Sequence, residues 1–151
     1  MGYTHYFRKL KFSQAGWKNL CDSTSCILRS LPENVKVEND NGTDDSMVGA
    51  VIRFNGVGSL AYETFMVDRV SREFEFCKTY RRPYDLAVCS VLILVSLYAE
   101  GGEISSDGLG ETYTDSEWKD AWEFVSGTIP EVTANLEETF KLFREWEGIV
   151  K

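Results

Sequence analysis

The chain has a single histidine, and its four cysteines, Cys21, Cys26, Cys77 and Cys89, include no CxxC pair. That argues against the common zinc arrangements, which need Cys and His at short fixed spacings. No Walker loop, GxGxxG fingerprint, GxSxG elbow or HExxH helix occurs, so a nucleotide hydrolase of the common kinds is disfavoured. No membrane-length apolar run is present. The longest run, Leu86 to Ala99, has 14 residues, against about 20 for a span. The start, MGYTHYFRKLKF, has no signal-peptide core or cleavage site. The expected setting is a reduced cytoplasm, with no membrane association.

Positive charge is also short. Sixteen basic residues face 24 acidic ones, for a net charge of −8. Bulk nucleic-acid binding is therefore disfavoured, because it needs phosphate-neutralising Lys and Arg. The deficit is local. Residues 1–30 carry +4, residues 31–60 carry −3, residues 61–90 balance, and residues 91–151 carry −9. An acidic C-terminal face serves solubility or mimics nucleic acid.

What is present suffices for a core. A chain of 151 residues with 43% hydrophobic and 13% aromatic residues is expected to form one domain, 1–151, without staples. Residues 3–12 alternate as a strand. Ser13 is placed to cap a helix that buries Trp17, Leu20, Ile27 and Leu31 and ends at Pro32. Residues 33–46 read as a polar loop, with Val35 and Val37 as a short edge strand. Strands follow at 47–54, 60–67 and 73–80, the first two as a hairpin. The Leu86–Ala99 run reads as a central, apolar helix stopped by Gly101-Gly102. A short strand is expected at 103–106. Thr114 and Glu117 form a capping box before a helix carrying Trp118 and Trp122. Pro130 opens a last helix. The expected class is α+β: a mainly antiparallel sheet packed by about four helices.

The richest chemical stretch is FCKTYRRPYD, Phe76 to Asp85. Lys78, Arg81 and Arg82 set three cations within five residues, Tyr84 adds a ring, and a helix start follows. Helix starts favour anions, and the guanidinium fork binds two oxygens at once. The plain alternative is that the arginines pair with surface acids and Asp85 caps the helix. His5 is either a hydrogen-bonded structural residue or a titrating ligand contact. Asp107, in the Ser105-Ser106-Asp107-Gly108 turn, has the chemistry to hold a ribose or only to make the turn. Asn55 and Glu63 sit at and near the hairpin, where Glu63 is a candidate base or arginine partner. Cys77 beside Lys78 is a candidate thiolate, or simply a packed residue.

MGYTHYF at the start, IRFNG at 52–56, ETF at 63–65, FCKTYRRPYD at 76–85 and SSDG at 105–108 together resemble a group of small uncharacterised bacteriophage and prophage proteins. The resemblance implies a cytoplasmic accessory protein of phage type, of the sort that acts on host defence or host enzymes. It brings no activity and no cofactor with it.

Three functions remain open at this level. One is binding of a small anionic, nucleotide-like ligand through His5, Asn55, Glu63, Lys78, Arg81, Arg82, Tyr84 and Asp107. Another is inhibition of a host protein by the acidic C-terminal helices. The last is a small hydrolase or transferase using His5, Cys77 or Glu63. No metal and no cofactor is expected.

Overall fold

The computed structural model describes residues 3–39, 47–70, 73–108 and 116–130. The first strand, β1 (Thr4–Lys11), sits at the centre of a sheet, between β5 (Glu75–Lys78) and β6 (Gly101–Ser106). Both neighbours run antiparallel to it. A second antiparallel sheet takes the order β2 (Val37–Glu38), β3 (Val51–Gly56), β4 (Phe65–Asp68). Helices α1 (Gln14–Arg29), α2 (Asp85–Tyr98) and α3 (Lys119–Thr128) pack together, with α2 contacting both others. The class is α+β with antiparallel sheets. Three helices lie among the described residues; the helix expected after Pro130 falls outside them.

Local chemistry explains the elements. Ser13 caps α1, its hydroxyl accepting from the Gly16 N–H at 2.9 Å. Trp17, Leu20, Thr24 and Ile27 form the buried stripe of α1 at helical spacing. In α2 every residue from Ala87 to Val95 is buried. Each large aliphatic side chain in that stretch contributes about 1.5–3 kcal/mol of burial. Phe65 joins the sheets, its ring 5.9 Å from Phe7 of β1 and 5.2 Å from Phe54 of β3. No helix among the described residues is long and apolar enough to cross a membrane.

Several boundaries differ from the sequence pattern, each for a visible reason. The third strand begins at Val51, not at Met47. Residues 47–50 fold back on the strand as a turn, with Gly49 N–H donating to the Val51 carbonyl at 3.2 Å and Arg53 N–H to the Met47 carbonyl at 2.9 Å, and the Gly49 carbonyl accepts from the Trp17 indole at 3.0 Å. Gly58–Leu60 is a 3-10 turn, so β4 starts only at Phe65. The Asn55 side chain holds this excursion. It donates to the Tyr62 carbonyl at 3.0 Å and accepts from the Tyr62 N–H at 3.1 Å. The fifth strand stops at Lys78, because Tyr80 and Arg81 both adopt left-handed backbone, with φ of 54° and 56°. The Gly pair does not stop α2, which ends on extended Ala99. Gly102 instead lies within β6 at φ 121°, where a Cβ would come within 2.8 Å of the Leu10 backbone. Only glycine fits there. Thr114 lies outside the described residues. Helix α3 starts at Lys119 rather than after a capping box, and the Glu117 carboxylate engages Arg81 instead.

Candidate functional site

The Thr79–Tyr84 turn, which links β5 to α2, shapes the site. Consecutive left-handed residues at Tyr80 and Arg81 are strained for side chains with a Cβ. They turn the chain sharply, so that Arg81, Arg82 and Pro83 form one wall of a cleft of about 370 Å3. The α1–β2 connection supplies Pro32, Asn34 and Val35 opposite. Asp85 and Cys89, one turn apart on α2, line it with Glu117 and Asp120. Two guanidinium groups and three carboxylates thus share one opening.

Arg81 is largely committed. Its Nε and Nη2 donate to the two Glu117 carboxylate oxygens at 2.8 and 3.0 Å. Its guanidinium also lies 4.2 Å from the centre of the Tyr3 ring. Arg82 is different. Its Nε is buried and makes no hydrogen bond, although the guanidinium sits 5.5 Å over the Tyr80 ring. An unpaired buried guanidinium N–H is a donor in need of an acceptor, and Arg82 also lines the cleft.

Beneath the cleft lies a polar network. His5 is fully buried. Its Nε2 meets Asp85 Oδ1 at 2.6 Å and its Nδ1 meets the Ser106 hydroxyl at 2.7 Å. Ser106 Oγ accepts from the Gly108 N–H at 3.0 Å and from the Trp118 indole N–H at 3.1 Å. Those two donors use both of its lone pairs, so the hydroxyl hydrogen points to Nδ1. His5 is therefore assigned as the neutral tautomer, with Nε2–H donating to Asp85. Thr79 donates to the same Asp85 oxygen at 2.6 Å, and the Cys89 thiol to the other at 3.5 Å. Burial pushes the Asp85 carboxyl up, but hydrogen bonds from His5, Thr79 and Cys89 outweigh it and hold the group below the usual carboxylate range. The Ser106–His5–Asp85 order is that of a hydrolase triad. However, Ser106 is 3% exposed and fully occupied by hydrogen bonds, so its oxygen meets no substrate.

The other sequence candidates fall into distinct places. Asn55 supports the 56–64 excursion, and Gly56 N–H donates to its side chain as well. The Glu63 carboxylate accepts from the Lys78 backbone N–H at 2.7 Å. Tyr84 is buried, and its hydroxyl donates to the Glu63 carbonyl at 2.6 Å. Asp107 accepts from the Thr4 N–H at 3.0 Å and the Tyr6 hydroxyl at 3.2 Å. None of these four, nor Lys78, lines the cleft. Of the eight residues, Arg81 and Arg82 line it, and His5 lies directly below it through Asp85 and Cys89. Cys77 stands opposite His5 across β1 and β5, buried, with its thiol on the Glu63 carbonyl. Burial pushes that thiol well up, with Glu63 and Asp85 adding to it, so it stays protonated. Most acids of the C-terminal region lie outside the described residues; Glu117 and Asp120 lie on the cleft.

Sequence reasoning missed Asp85 and Cys89 as site residues. Asp85 read as a cap and Cys89 as packing. Their spacing of four on one helix was the available signal, since it puts both on one face. Comparison with protein-family models, curated proteins and solved structures gave no match.

Proposed function

We propose that the cleft binds a small anionic, nucleotide-like ligand, as a phage-type accessory protein that holds such a molecule away from host defence would do. The observation that carries this reading is Arg82, which lines the cleft and whose buried Nε makes no hydrogen bond. A phosphate or carboxylate oxygen in the cleft would pair with the Arg82 guanidinium and match its charge. Arg81 is held by Glu117 and adds positive potential more than free donors. The carboxylates of Asp85 and Asp120 are suited to the amino and ring N–H groups of a base. A purely anionic ligand fits such a mixed lining less well than one with an anion at one end and donors at the other. Holding the ligand requires no catalytic base, which agrees with the buried Ser106 and the protonated Cys77.

Calorimetry and thermal shift against nucleotides, cyclic dinucleotides and ADP-ribose derivatives test this. Binding by wild type, weakened about 10–100-fold in Arg82→Ala, is expected from loss of a charge-assisted hydrogen bond. If no member of the panel binds, or if Arg82→Ala binds as wild type does, the reading fails.

A further inference from the structure

We propose that His5 Nε2, an Asp85 carboxylate oxygen and Cys89 Sγ form a three-ligand site for a divalent cation of the Zn2+ class, its fourth position facing the cleft. The three donor atoms lie within 4.8 Å of one another. Cys89 Sγ is 3.6 Å from His5 Nε2 and 3.5 Å from Asp85 Oδ2. Zinc binds S at about 2.3 Å and N or O at about 2.0–2.2 Å, so the edges of its tetrahedron run to roughly 3.3–3.6 Å. Both sulfur edges already have that length. Only the His5–Asp85 edge is short at Oδ1, because a proton bridges it. The cation replaces that proton.

The donor set selects the metal. One thiolate, one imidazole and one carboxylate suit Zn2+ or a neighbouring transition ion; Mg2+ and Ca2+ want oxygens alone. Three protein ligands with one position open to a cleft is the pattern of a site that takes up an exchangeable ligand. One support is also in place: Thr79 fixes Asp85 through Oδ1. Ser106 Oγ stands 2.7 Å from His5 Nδ1 and becomes the second once the ring proton moves there.

Protons balance as follows. Asp85 is already ionised. Cys89 gives its thiol proton to solvent. His5 moves its proton from Nε2 to Nδ1, where it donates to Ser106 Oγ. The Ser106 hydroxyl hydrogen must then turn away from Nδ1. The Tyr3 hydroxyl, buried without a partner and packed against Gly108, is the neighbouring acceptor. Ser106 then has two lone pairs for three N–H donors, so one of the Gly108, Trp118 and His5 bonds is given up, and this rearrangement costs affinity compared with a site whose histidine is already turned.

The site does not depend on the nucleotide-like ligand, and one variant separates the two. Zn2+ and Co2+ are added to metal-stripped full-length protein in a Cys21→Ser, Cys26→Ser background, which removes the two partly exposed thiols. Expected are one bound ion per chain, a Co2+–thiolate charge-transfer band, and a rise in Tm with Zn2+. Cys89→Ser and Asp85→Asn should each weaken binding by more than the 10–100-fold typical of losing an outer partner. Arg82→Ala should bind metal as wild type does, whatever it does to the nucleotide panel. Absence of a stoichiometric ion overturns the proposal, as does unchanged binding in both ligand variants. If those variants do not fold, the Co2+ spectrum of the parent decides: a thiolate band supports the site and its absence overturns it.

Discussion

Asp85 is the residue on which most of the local structure converges. Its carboxylate accepts from His5, Thr79 and Cys89. Replacing it with Asn puts an amide where three donors expect an acceptor. Asp85→Asn should therefore lower the unfolding free energy by about 2–3 kcal/mol, measured by urea denaturation. A change below about 0.5 kcal/mol would mean that the three bonds are not made together in solution. Asn55 makes the opposite point about candidate site residues. Its amide makes four hydrogen bonds, to Tyr62 twice, Thr64 and Gly56. Asn55→Ala should cost about 2 kcal/mol of stability and leave binding at the cleft unchanged, because nothing of Asn55 lines it. Loss of ligand affinity without loss of stability would restore Asn55 as a contact.

At the scale of elements, α1 and α2 approach closely at Gly16. A Cβ there would lie 2.7 Å from the Tyr98 carbonyl oxygen. In an isolated helix Gly→Ala gains about 1 kcal/mol. Here the clash is with backbone, which cannot rotate away, and overpacking costs about 1–3 kcal/mol. The sign should reverse: Gly16→Ala lowers Tm, and a raised Tm would show that the helices shift apart freely. The strands and helices themselves were largely legible. Alternation in residues 3–12, the Ser13 cap and the apolar run at 86–99 each report local physics. The excursion at 56–64 was not, because an Asn side chain replaced ladder bonds that the pattern of Leu60 to Val67 implied. Nor was the turn at Tyr80-Arg81, since neither residue favours left-handed backbone. The candidate site was legible only in part. Arg81 and Arg82 stand out by charge, but His5 reaches Asp85 across 80 residues and Cys89 across 84. No spacing rule connects β1 to α2: the sheet register places His5 between Cys77 and Ser106, and the contact with α2 comes only from tertiary packing.

For the molecule as a whole, the informative titrations are alkaline. Burial pushes the Tyr3 and Tyr84 hydroxyls well above the ordinary tyrosine value, and Asp85 adds to both shifts. A folded pKa above the unfolded one means that the folded state holds its proton longer. The stabilisation is complete below about pH 10, the unfolded value, and declines as pH rises toward the folded value. The chain should therefore unfold in alkali rather than titrate these groups in place. Of the seven tyrosines, Tyr3 and Tyr84 should ionise only together with the loss of circular dichroism. Ionisation of all seven before any loss of structure would contradict this. Tyr84→Phe separates the two contributions of that hydroxyl. At pH 7 the variant loses the bond to the Glu63 carbonyl and about 1 kcal/mol of stability. Above pH 10 it also loses a group whose ionisation drives unfolding. Its deficit against wild type should shrink as pH rises, and a deficit constant with pH would show that Tyr84 acts only through its hydrogen bond.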